Sequence, residues 1–384
     1  MTDDYVKVRT EHGIHMSQLF SPLDIGTLSL ANRIVIAPMC QYSAAEGSAT
    51  DWHMMHLGNL ALSGAAMLIV EATAVSAEGR ISASDLGLYN DDNAAALARV
   101  MSAIRAYSPI RMALQLAHAG RKASVHVPWA GGAQIASDRP GGWKAVAPSP
   151  LAFNPGAEPP AALERAGMEQ VRKQFAQAAR RAAVLGFDGL EVHAAHGYLL
   201  HQFLSPLANR REDEYGGSLE NRMRFPLEVF EAVREAFPAE RPVWVRVSAS
   251  DWVPGGWNVD ETVAFTHALK MRGCAAIHVS SGGLSPQQKI DLRPGYQVPF
   301  AKQIKAQTGV TTIAVGLITE AQQAEAILGA GEADAIALAR AVLYDPRWPW
   351  HAAAQLGATV DAPNQYLRCQ PSQYKALFRP AVAR

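Results

Sequence analysis

Eight short apolar runs, separated by longer helical patterns, constrain the fold of this chain more than any other feature. They are Arg33–Ala37, Met67–Val70, Arg111–Leu116, Gly189–His193, Val243–Val247, Ala276–Val279, Thr312–Val315 and Ala335–Leu338. Continuous apolar runs of this kind are typical of strands buried on both faces of a parallel sheet. Their alternation with helices predicts an α/β fold, a single (β/α)8 TIM barrel, with an open doubly wound sheet as the alternative.

The segments between the runs have the period of amphipathic helices. Val171, Phe175 and Ala178 are spaced by three and four residues, as a helix that packs on a sheet requires. A glycine that separates a helix from the next strand marks a helix end, as at positions 186, 273, 309 and 331. The predicted helices include Asn93–Arg105, Met168–Leu185, Pro226–Ala236, Asp260–Arg272 and Glu320–Leu328.

The 384 residues exceed the roughly 250 residues that a barrel of this kind needs. We predict a barrel domain over residues 19–358, preceded by a mobile N-terminal extension, residues 1–18, and followed by a C-terminal segment, residues 359–384. Residues 119–162, after the third strand, are rich in Pro, Gly and Trp. Irregular segments this long are usually functional, so we expect this insertion to cap the catalytic face.

Charge and cysteine content exclude several classes of function. Lys and Arg together number 35, as do Asp and Glu, so no net charge favours a nucleic acid or a membrane surface as partner. The three cysteines, Cys40, Cys274 and Cys369, are too scattered for a disulfide framework or a zinc knuckle. With no signal peptide or apolar span in the sequence, we expect a protein of the reducing cytoplasm.

Polar residues cluster where the predicted strands end, the place where barrel enzymes carry their active sites. Hydrogen-bond donors predominate and carboxylates are few, which favours an anionic, aromatic or phosphorylated ligand over glycoside hydrolysis. Gly316 and Arg340 follow strands seven and eight, where barrels often bind phosphate. The other candidates are Tyr42, Gln115, His118, Arg121, Lys122, His193, His196, Tyr198, Arg246 and Asp251.

His193 and His196 admit three interpretations. Together with His118 and Asp251 they could ligate a metal ion, as His-x-x-His pairs do in many hydrolases. They could instead be two N–H donors that hold a substrate oxygen, or two packed core histidines. Tyr198 favours the second interpretation, because a phenol with a pKa near ~10 suits the protonation of a carbon made basic by hydride addition.

Four long motifs resemble the old yellow enzyme family, and are most similar to its bacterial thermophilic-like branch, which includes the xenobiotic reductases. The resemblance covers the chain from about Leu19 to Gln370 and implies a flavin-binding (β/α)8 barrel. The motifs are Ala37-Pro-Met-Cys-Gln-Tyr42, Gln115-Leu-Ala-His-Ala-Gly-Arg-Lys122, His193-Ala-Ala-His-Gly-Tyr198 with its continuation to Pro206, and the segment from Arg211 to Arg222.

The resemblance implies a binding site for FMN. Backbone at Ala37, Pro38, Met39, Cys40 and Ala72 would lie along the isoalloxazine ring, and Cys40, in place of a threonine of other branches, would tune its potential. Gln115 would bond the polar edge of the ring, and Arg246 would face its N1/O2 side. Gly316, Ala339 and Arg340 would hold the phosphate, although the family commonly has glycine where this chain has Ala339.

The resemblance also implies the reaction. NADPH or NADH would reduce FMN and leave, and the reduced flavin would then reduce an activated alkene, an α,β-unsaturated carbonyl or a nitro compound, in the same place. His193 and His196 would grip the substrate oxygen, Tyr198 would donate a proton, and Tyr42 would line the pocket. Arg368 would enter the site of a neighbouring subunit in a homodimer or homotetramer. The alternatives are a metal-dependent barrel hydrolase and a flavoprotein that senses or stores.

Overall fold

Eight parallel strands form a closed barrel in the computed structural model, which describes residues 17–381. Neighbouring strands pair in chain order, and β8 closes on β1 through Leu338 and Ile36. The predicted (β/α)8 barrel is therefore confirmed, and β8 has the predicted bounds. The strands are β1 (Ile34–Ile36), β2 (Met67–Ala74), β3 (Arg111–Ala117), β4 (Gly189–Ala194), β5 (Val243–Ser248), β6 (Ala276–Ser280), β7 (Thr311–Ala314) and β8 (Ala335–Leu338).

Helices cover the outside of the barrel and bury their apolar faces against it, as Phe175 and Ala178 of the third helix show. The five predicted helices are present, and further helices occur where the sequence analysis named none. They are α1 (Asp51–Ala61), α2 (Asp91–Arg105), α3 (Arg165–Val184), α4 (Leu199–Leu204), α5 (Leu219–Ala236), α6 (Val259–Lys270), α7 (Val298–Thr308), α8 (Ala321–Gly329), α9 (Arg340–Tyr344) and α10 (Trp348–Leu356).

The predicted start of α5 at Pro226 is wrong. The helix begins at Leu219, where the Ser218 side chain accepts a hydrogen bond from the backbone N–H of Asn221. Proline is best tolerated in the first turn of a helix, which is why the sequence pattern suggested a start there. Pro226 is instead buried inside the helix, and the Ser218 cap fixes the true first turn.

A β-hairpin covers the N-terminal end of the barrel. Leu23–Ile25 pairs antiparallel with Leu28–Leu30, and the turn at Gly26 lies against Pro242 and Ala275, which precede β5 and β6. Ile25 and Leu30 are fully buried. The hairpin therefore leaves the opposite end of the barrel as the face on which a site can form.

The insertion after β3 contains short regular elements. Gly120–Lys122 and Pro128–Ala130 are 3-10 helices, and Val146–Ala147 pairs with Ala161–Ala162. Its backbone bonds to the segment that follows β2, for example from Val125 N–H to Ile81 O at 3.0 Å. The insertion thus lies at the C-terminal ends of the strands.

The C-terminal segment packs at the other end. Val360–Ala362 pairs with Phe378–Pro380, and Trp350 of α10 belongs to the same apolar cluster. Pro363 shares a cavity of about 370 Å³ with residues that precede the first three strands, among them Asn32, Ala66 and Ile110. Residues 1–16, most of the predicted mobile extension, lie outside the described residues. In the part of the chain that the structure describes, no helix has the length and apolar character needed to cross a membrane.

Candidate active site

His193, His196 and Tyr198 converge where β4 ends. The His193 ring lies edge-on to the His196 ring, with centroids 5.1 Å apart, and edge-on to the Tyr198 ring at 5.0 Å. His193 projects from the strand itself, whereas His196 and Tyr198 lie on the turn that leads into α4. The turn is sharp because His196 and Gly197 both have left-handed backbones, with φ of 57° and 73°. The predicted clustering of these three side chains is present in the structure.

The side chains of Ser248 and Lys122 hold the backbone of His196 on both sides. Its N–H donates to Ser248 Oγ at the end of β5, at 2.9 Å. Its carbonyl accepts from Lys122 Nζ at 2.9 Å, and the same amine donates to Gly283 O at 3.0 Å. Lys122 thereby ties the turn after β4 to the loop after β6. A left-handed non-glycine residue costs energy, and these bonds offset that cost.

Gly197 is held in the same way by α4. Its N–H donates to His201 Nδ1 at 2.9 Å, and its carbonyl accepts from Gln202 Nε2 at 2.7 Å. His201 Nε2 lies 2.9 Å from a carboxylate oxygen of Asp251, and both side chains are fully buried. Since Nδ1 accepts from the backbone, Nε2 carries the ring proton and faces the Asp251 carboxylate. Asp251 thus fixes the ring that holds Gly197.

The loop after β6 crosses the His196 turn at very short range. A Cβ atom on Gly283 would lie 2.6 Å from His196 Cα, and Gly283 has a φ of 90°. The side chain of Ser280, at the end of β6, meets the histidine ring, with Oγ 2.7 Å from His196 Nε2. The sequence analysis named no site residue on β6. The run Ser280-Ser-Gly-Gly283, directly after a strand, is the signal that could have found this loop.

Both histidines of the site are neutral. Burial, and then the positive charge of Arg246, lower the pKa of His193 and of His196 well below the usual value. His193 Nδ1 accepts from the backbone N–H of Ala195 at 3.2 Å. The proton of that neutral ring is therefore on Nε2, which makes His193 a hydrogen-bond donor.

Tyr198 keeps its proton for the opposite reason. Burial, followed by the nearby Cys40 and Tyr42, raises the pKa of the Tyr198 phenol well above its usual value. Lys122 Nζ lies over the phenol ring, 5.1 Å from the centroid. Tyr198 is thus a protonated phenol at any physiological pH.

A pocket of about 360 Å³ opens over Tyr198 and Tyr42. The insertion forms much of its wall, with Phe153 stacked over Lys122 Nζ at 4.8 Å. Trp129, also in the insertion, meets the Tyr42 ring edge-on at 6.0 Å. The sequence analysis missed Phe153 and Trp129, since aromatic residues in a Pro- and Gly-rich segment carry no periodic pattern. The pocket is lined by Tyr42, Ile81, Arg121, Lys122, Val125, His126, Pro128, Gly131, Gly132, Gln134, Phe153, Asn154, Ala157 and Tyr198.

Arg246 is a buried cation with unused donors. It lies beside His193 in the register of β4 and β5 and is 7% exposed. Its Nε is buried and has no hydrogen-bond partner among the described residues. A buried donor left unpaired costs roughly 1–3 kcal/mol, so this guanidinium is suited to a bound carbonyl or anionic group.

The predicted flavin-edge residues lie at the ends of β1 and β2, and one of them, Cys40, is close enough to Arg246 for its charge to act on the thiol. Ala37, which follows β1, donates its N–H to Leu338 O at 2.9 Å, and Pro38, Met39 and Cys40 continue from it. The Cys40 thiol interacts with backbone at Ala72, which lies where the register of β2 and β3 shifts. Burial, and then the carboxylates of Asp85 and Glu71, raise the pKa of that thiol, so it is protonated.

The predicted phosphate residues meet at the ends of β7 and β8. Gly316 has a φ of 123°, and a Cβ atom there would collide with the side chain of Gln297. Ala339 precedes α9, and Arg340, its first residue, is exposed. Tyr296, which the sequence analysis missed, is close enough for the charge of Arg340 to act on its pKa. The loops after β6, β7 and β8 therefore meet at this end of the site, where they offer backbone N–H groups and the guanidinium of Arg340 to a ligand.

The residues of the metal hypothesis are not assembled. His118 Nδ1 accepts from the backbone N–H of Gly120 at 3.1 Å, and Asp251 pairs with His201 rather than with His193. Within residues 17–381, no group of three or more His, Cys, Asp or Glu side chains is arranged to hold a metal ion. The alternative of a metal-dependent hydrolase is not borne out.

Arg368 lies apart from this site in its own chain. It is exposed on the 3-10 helix Asn364–Cys369, which directly follows Pro363 at the N-terminal end of the barrel. The adjacent Tyr366 packs against Trp350 of α10, with ring centroids 6.2 Å apart. The geometry of one chain therefore does not join Arg368 to His193 or Tyr198.

Comparison with known proteins identifies the family that carries this site. The model of the NADH:flavin oxidoreductase / NADH oxidase family matches residues 18–358. The chain belongs to this family. It is 44% identical over 352 residues to an NADPH dehydrogenase of Geobacillus thermodenitrificans, which covers 91% of this chain and 98% of that relative.

Two solved structures of reductases have the same fold. Morphinone reductase in complex with tetrahydroNAD is 31% identical, with a TM-score of 0.73 and coverage of 94% of both chains. A 2-naphthoyl-CoA reductase, 24% identical, has a TM-score of 0.78 and shares the fold, although the match spans 52% of that longer chain. The predicted old yellow enzyme relationship is confirmed. This NADH:flavin oxidoreductase is an enzyme that uses FMN and a reduced nicotinamide cofactor.

Proposed function

We propose that this enzyme reduces the activated C=C bond of α,β-unsaturated carbonyl or nitro compounds, with NADPH as the preferred reductant. The observation that carries the proposal is the convergence of two neutral histidines and a protonated phenol beside a buried arginine that has no partner for Nε. Bound FMN supplies the hydride chemistry, and the barrel supplies position and electrostatics. The name of the Geobacillus relative supports NADPH.

The two histidines would hold the substrate oxygen. His193 offers Nε2–H, as its Nδ1 accepts from Ala195. Ser280 Oγ lies 2.7 Å from His196 Nε2 and 3.3 Å from Gln297 Oε1, and we propose that the hydroxyl donates to the ring, since the shorter bond is the stronger one. His196 then carries its proton on Nδ1. Two fixed N–H donors stabilise negative charge that develops on an oxygen during the reaction, as an oxyanion hole does.

Tyr198 would protonate the α-carbon of the substrate. Its ring packs against His193, so a substrate held by the histidines places its alkene next to the phenol. Because burial raises the pKa of Tyr198, the proton leaves only to a strongly basic carbon. Tyr42 and Phe153 would line the space for the rest of the molecule.

The residues around Arg246 fit FMN. The unpaired Nε of Arg246 suits a ring carbonyl or an anionic ring nitrogen of the flavin. Gln115 lies on β3 and Arg246 on β5, so the two side chains come from the strands that flank β4. Ala37, Pro38, Met39, Cys40 and Ala72 would lie along the ring, with the Cys40 thiol tuning its potential. Gly316, Ala339 and Arg340 would hold the phosphate. Only backbone N–H is required of Ala339, so the alanine in place of the usual glycine is compatible with binding.

We also propose the division of the chain and its setting. Residues 19–358 form the catalytic barrel, the insertion 119–162 closes the pocket, and residues 359–384 reach a neighbouring subunit of a homodimer or homotetramer. The exposure of Arg368, away from the site of its own chain, supports its delivery to that neighbour. The three cysteines are free in the structure, which suits the reducing cytoplasm.

The decisive experiment separates the two half-reactions of Tyr198→Phe by stopped-flow absorbance of the flavin. Loss of the proton donor should slow reoxidation of the reduced flavin by cyclohexenone by about 10²–10⁴-fold. Reduction of the flavin by NADPH should stay close to the wild-type rate. Tyr42→Phe, which removes the other phenol of the pocket, is the matched control.

Two outcomes would contradict the proposal. Equal loss of both half-reactions in Tyr198→Phe would mean that the phenol does not act as the proton donor. A wild-type enzyme whose flavin is bleached by NADPH but is not reoxidised by cyclohexenone would point to sensing or storage instead.

A further inference from the structure

A fully buried carboxylate lies at the centre of the barrel. Glu191 of β4 has no exposed surface, and its two oxygens accept three hydrogen bonds. Gln115 Nε2 donates at 2.6 Å, Trp244 Nε1 at 2.8 Å, and His278 Nδ1 lies at 2.7 Å. We call Gln115, Glu191, Trp244 and His278 the polar floor. Four polar side chains joined in the core of a barrel require a reason beyond packing, since burial of polar groups is costly.

The register of the strands places this floor directly beneath the proposed flavin site. Gln115, Glu191 and Trp244 are direct neighbours across β3, β4 and β5. His193 and Arg246 come two residues later on β4 and β5, and alternate residues of a strand share one face. The carboxylate of Glu191 is therefore one layer below the guanidinium of Arg246.

The floor carries a negative charge. Burial alone would raise the pKa of Glu191, but the hydrogen bond from His278, the positive charge of Arg246 and the hydrogen bond from Trp244 lower it below its usual value. Burial lowers the pKa of His278, so at neutral pH that ring is neutral and donates Nδ1–H. Arg246 is then the cation that faces the Glu191 anion.

The same carboxylate fixes the orientation of the Gln115 amide. Because Nε2 donates to Glu191, the amide oxygen Oε1 is the atom that remains for a ligand. A carboxylate only accepts hydrogen bonds, so the amide cannot flip without placing two oxygens against each other. Gln115 is thereby set as an acceptor for an N–H group of whatever occupies the site.

We propose that Glu191 is a positioning residue that presents Gln115 Oε1 to bound FMN and, by partly neutralising Arg246, sets the reduction potential of the flavin. The inference rests on the proposed place of Gln115 and Arg246 at the edge of the flavin ring. Arg246 stabilises negative charge on the reduced cofactor. A fixed anion beneath the guanidinium weakens that stabilisation and keeps the flavin a readier hydride donor.

The test is the midpoint potential of FMN bound to Glu191→Gln, measured by photometric titration against a reference dye. Removal of the anion should favour reduced FMN about tenfold, which for a two-electron couple is about +30 mV. Trp244→Phe removes one hydrogen-bond donor from the Glu191 carboxylate. The negative charge of Glu191 then acts more strongly on Arg246, so the midpoint potential of bound FMN should fall. Asp334→Asn, which removes a carboxylate that accepts from the backbone N–H of Thr312 at the N-terminal start of β7, at the end of the barrel opposite the site, should leave the potential unchanged.

Opposite shifts in Glu191→Gln and Trp244→Phe support the proposal. Wild-type potentials in both variants, or shifts of the same sign, would overturn it, and a melting temperature that falls without a change in potential would assign Glu191 a purely structural role. If Glu191→Gln does not fold, an unchanged potential in Trp244→Phe overturns the proposal by itself. Wild-type protein that binds no FMN would contradict the function rather than the role of Glu191.

Discussion

Replacement of Gly283 by alanine tests the geometry on which the proposed substrate clamp depends. The new Cβ atom would lie 2.6 Å from His196 Cα and 2.7 Å from its carbonyl carbon. Ordinary contact begins at 3.4 Å, so the two backbones must separate by about 0.8 Å. Neither can yield easily, because Lys122 Nζ binds the carbonyls of both residues.

The magnitude follows from this displacement. A shift of about 1 Å in a catalytic group costs roughly 10²-fold in rate, which is about 2.7 kcal/mol of transition-state stabilisation. Alanine at the φ of 90° costs roughly 1–2 kcal/mol of folding free energy, and overpacking adds about 1–3 kcal/mol. We therefore expect Gly283→Ala to fold with reduced stability and to reoxidise with cyclohexenone about 100-fold more slowly.

Gly273→Ala is the matched control. Gly273 has a similar φ of 82°, and a Cβ atom there meets nothing within 4 Å. That variant has the backbone strain without the collision, so it should lose roughly 1–2 kcal/mol of stability and keep the wild-type rate. Stopped-flow reoxidation and urea unfolding of both variants give the comparison. Equal reoxidation rates in the two variants would refute the argument that Gly283 positions His196.

Two further predictions concern the buried charges around the clamp. Lys122→Met leaves the carbonyls of His196 and Gly283 unpaired and should cost about 1–3 kcal/mol for each, measured by urea unfolding at pH 7. Burial lowers the pKa of Lys122 to about 8, compared with ~10.4 in the unfolded chain. Between these two pH values the folded state binds fewer protons than the unfolded state, so the free energy of unfolding of the wild type should rise with pH. The same rise should be absent from Lys122→Met. For Asp251, burial raises the pKa but His201 and hydrogen bonds lower it below its usual value. The ionised carboxylate of Asp251 therefore contributes fully to the free energy of unfolding above about pH 4, and this contribution is lost as the pH falls through the pKa of the folded state. The difference in stability between the wild type and Asp251→Asn should shrink in acid and stay constant between pH 5 and 8.

The fold could be predicted because its signal is local. Each barrel strand is a continuous apolar run, and the run Ala335–Leu338 became β8 without any change of bounds. The start of α5 was misplaced since the Ser218 cap and the buried Pro226 depend on tertiary packing. Residues in the motifs at the ends of β1, β3 and β4, such as Cys40, Gln115 and His196, were also visible in the sequence.

The residues that hold the site could not be predicted in the same way. Ser280 and Gly283 are distant from His196 in sequence and reach it only after the barrel closes, and Phe153 reaches Lys122 in the same way. Glu191 looked like an ordinary residue of a strand, and its role depends on side chains from three other strands. Contacts of this kind have no period, so a single sequence contains no signal for them.

The insertion separates the choice of substrate from the chemistry. Phe153 and Trp129 stand on a segment that bonds to the loop after β2, whereas His193, His196 and Tyr198 are fixed by β4, β5 and α4. Changes around Phe153 and Trp129, outside the 3-10 helix Gly120–Lys122 that ties down the His196 turn, can therefore accumulate without disturbing the reacting groups. Under the proposed function, the part of the insertion around Phe153 and Trp129 is where libraries for directed evolution can widen the range of accepted alkenes at little risk to turnover.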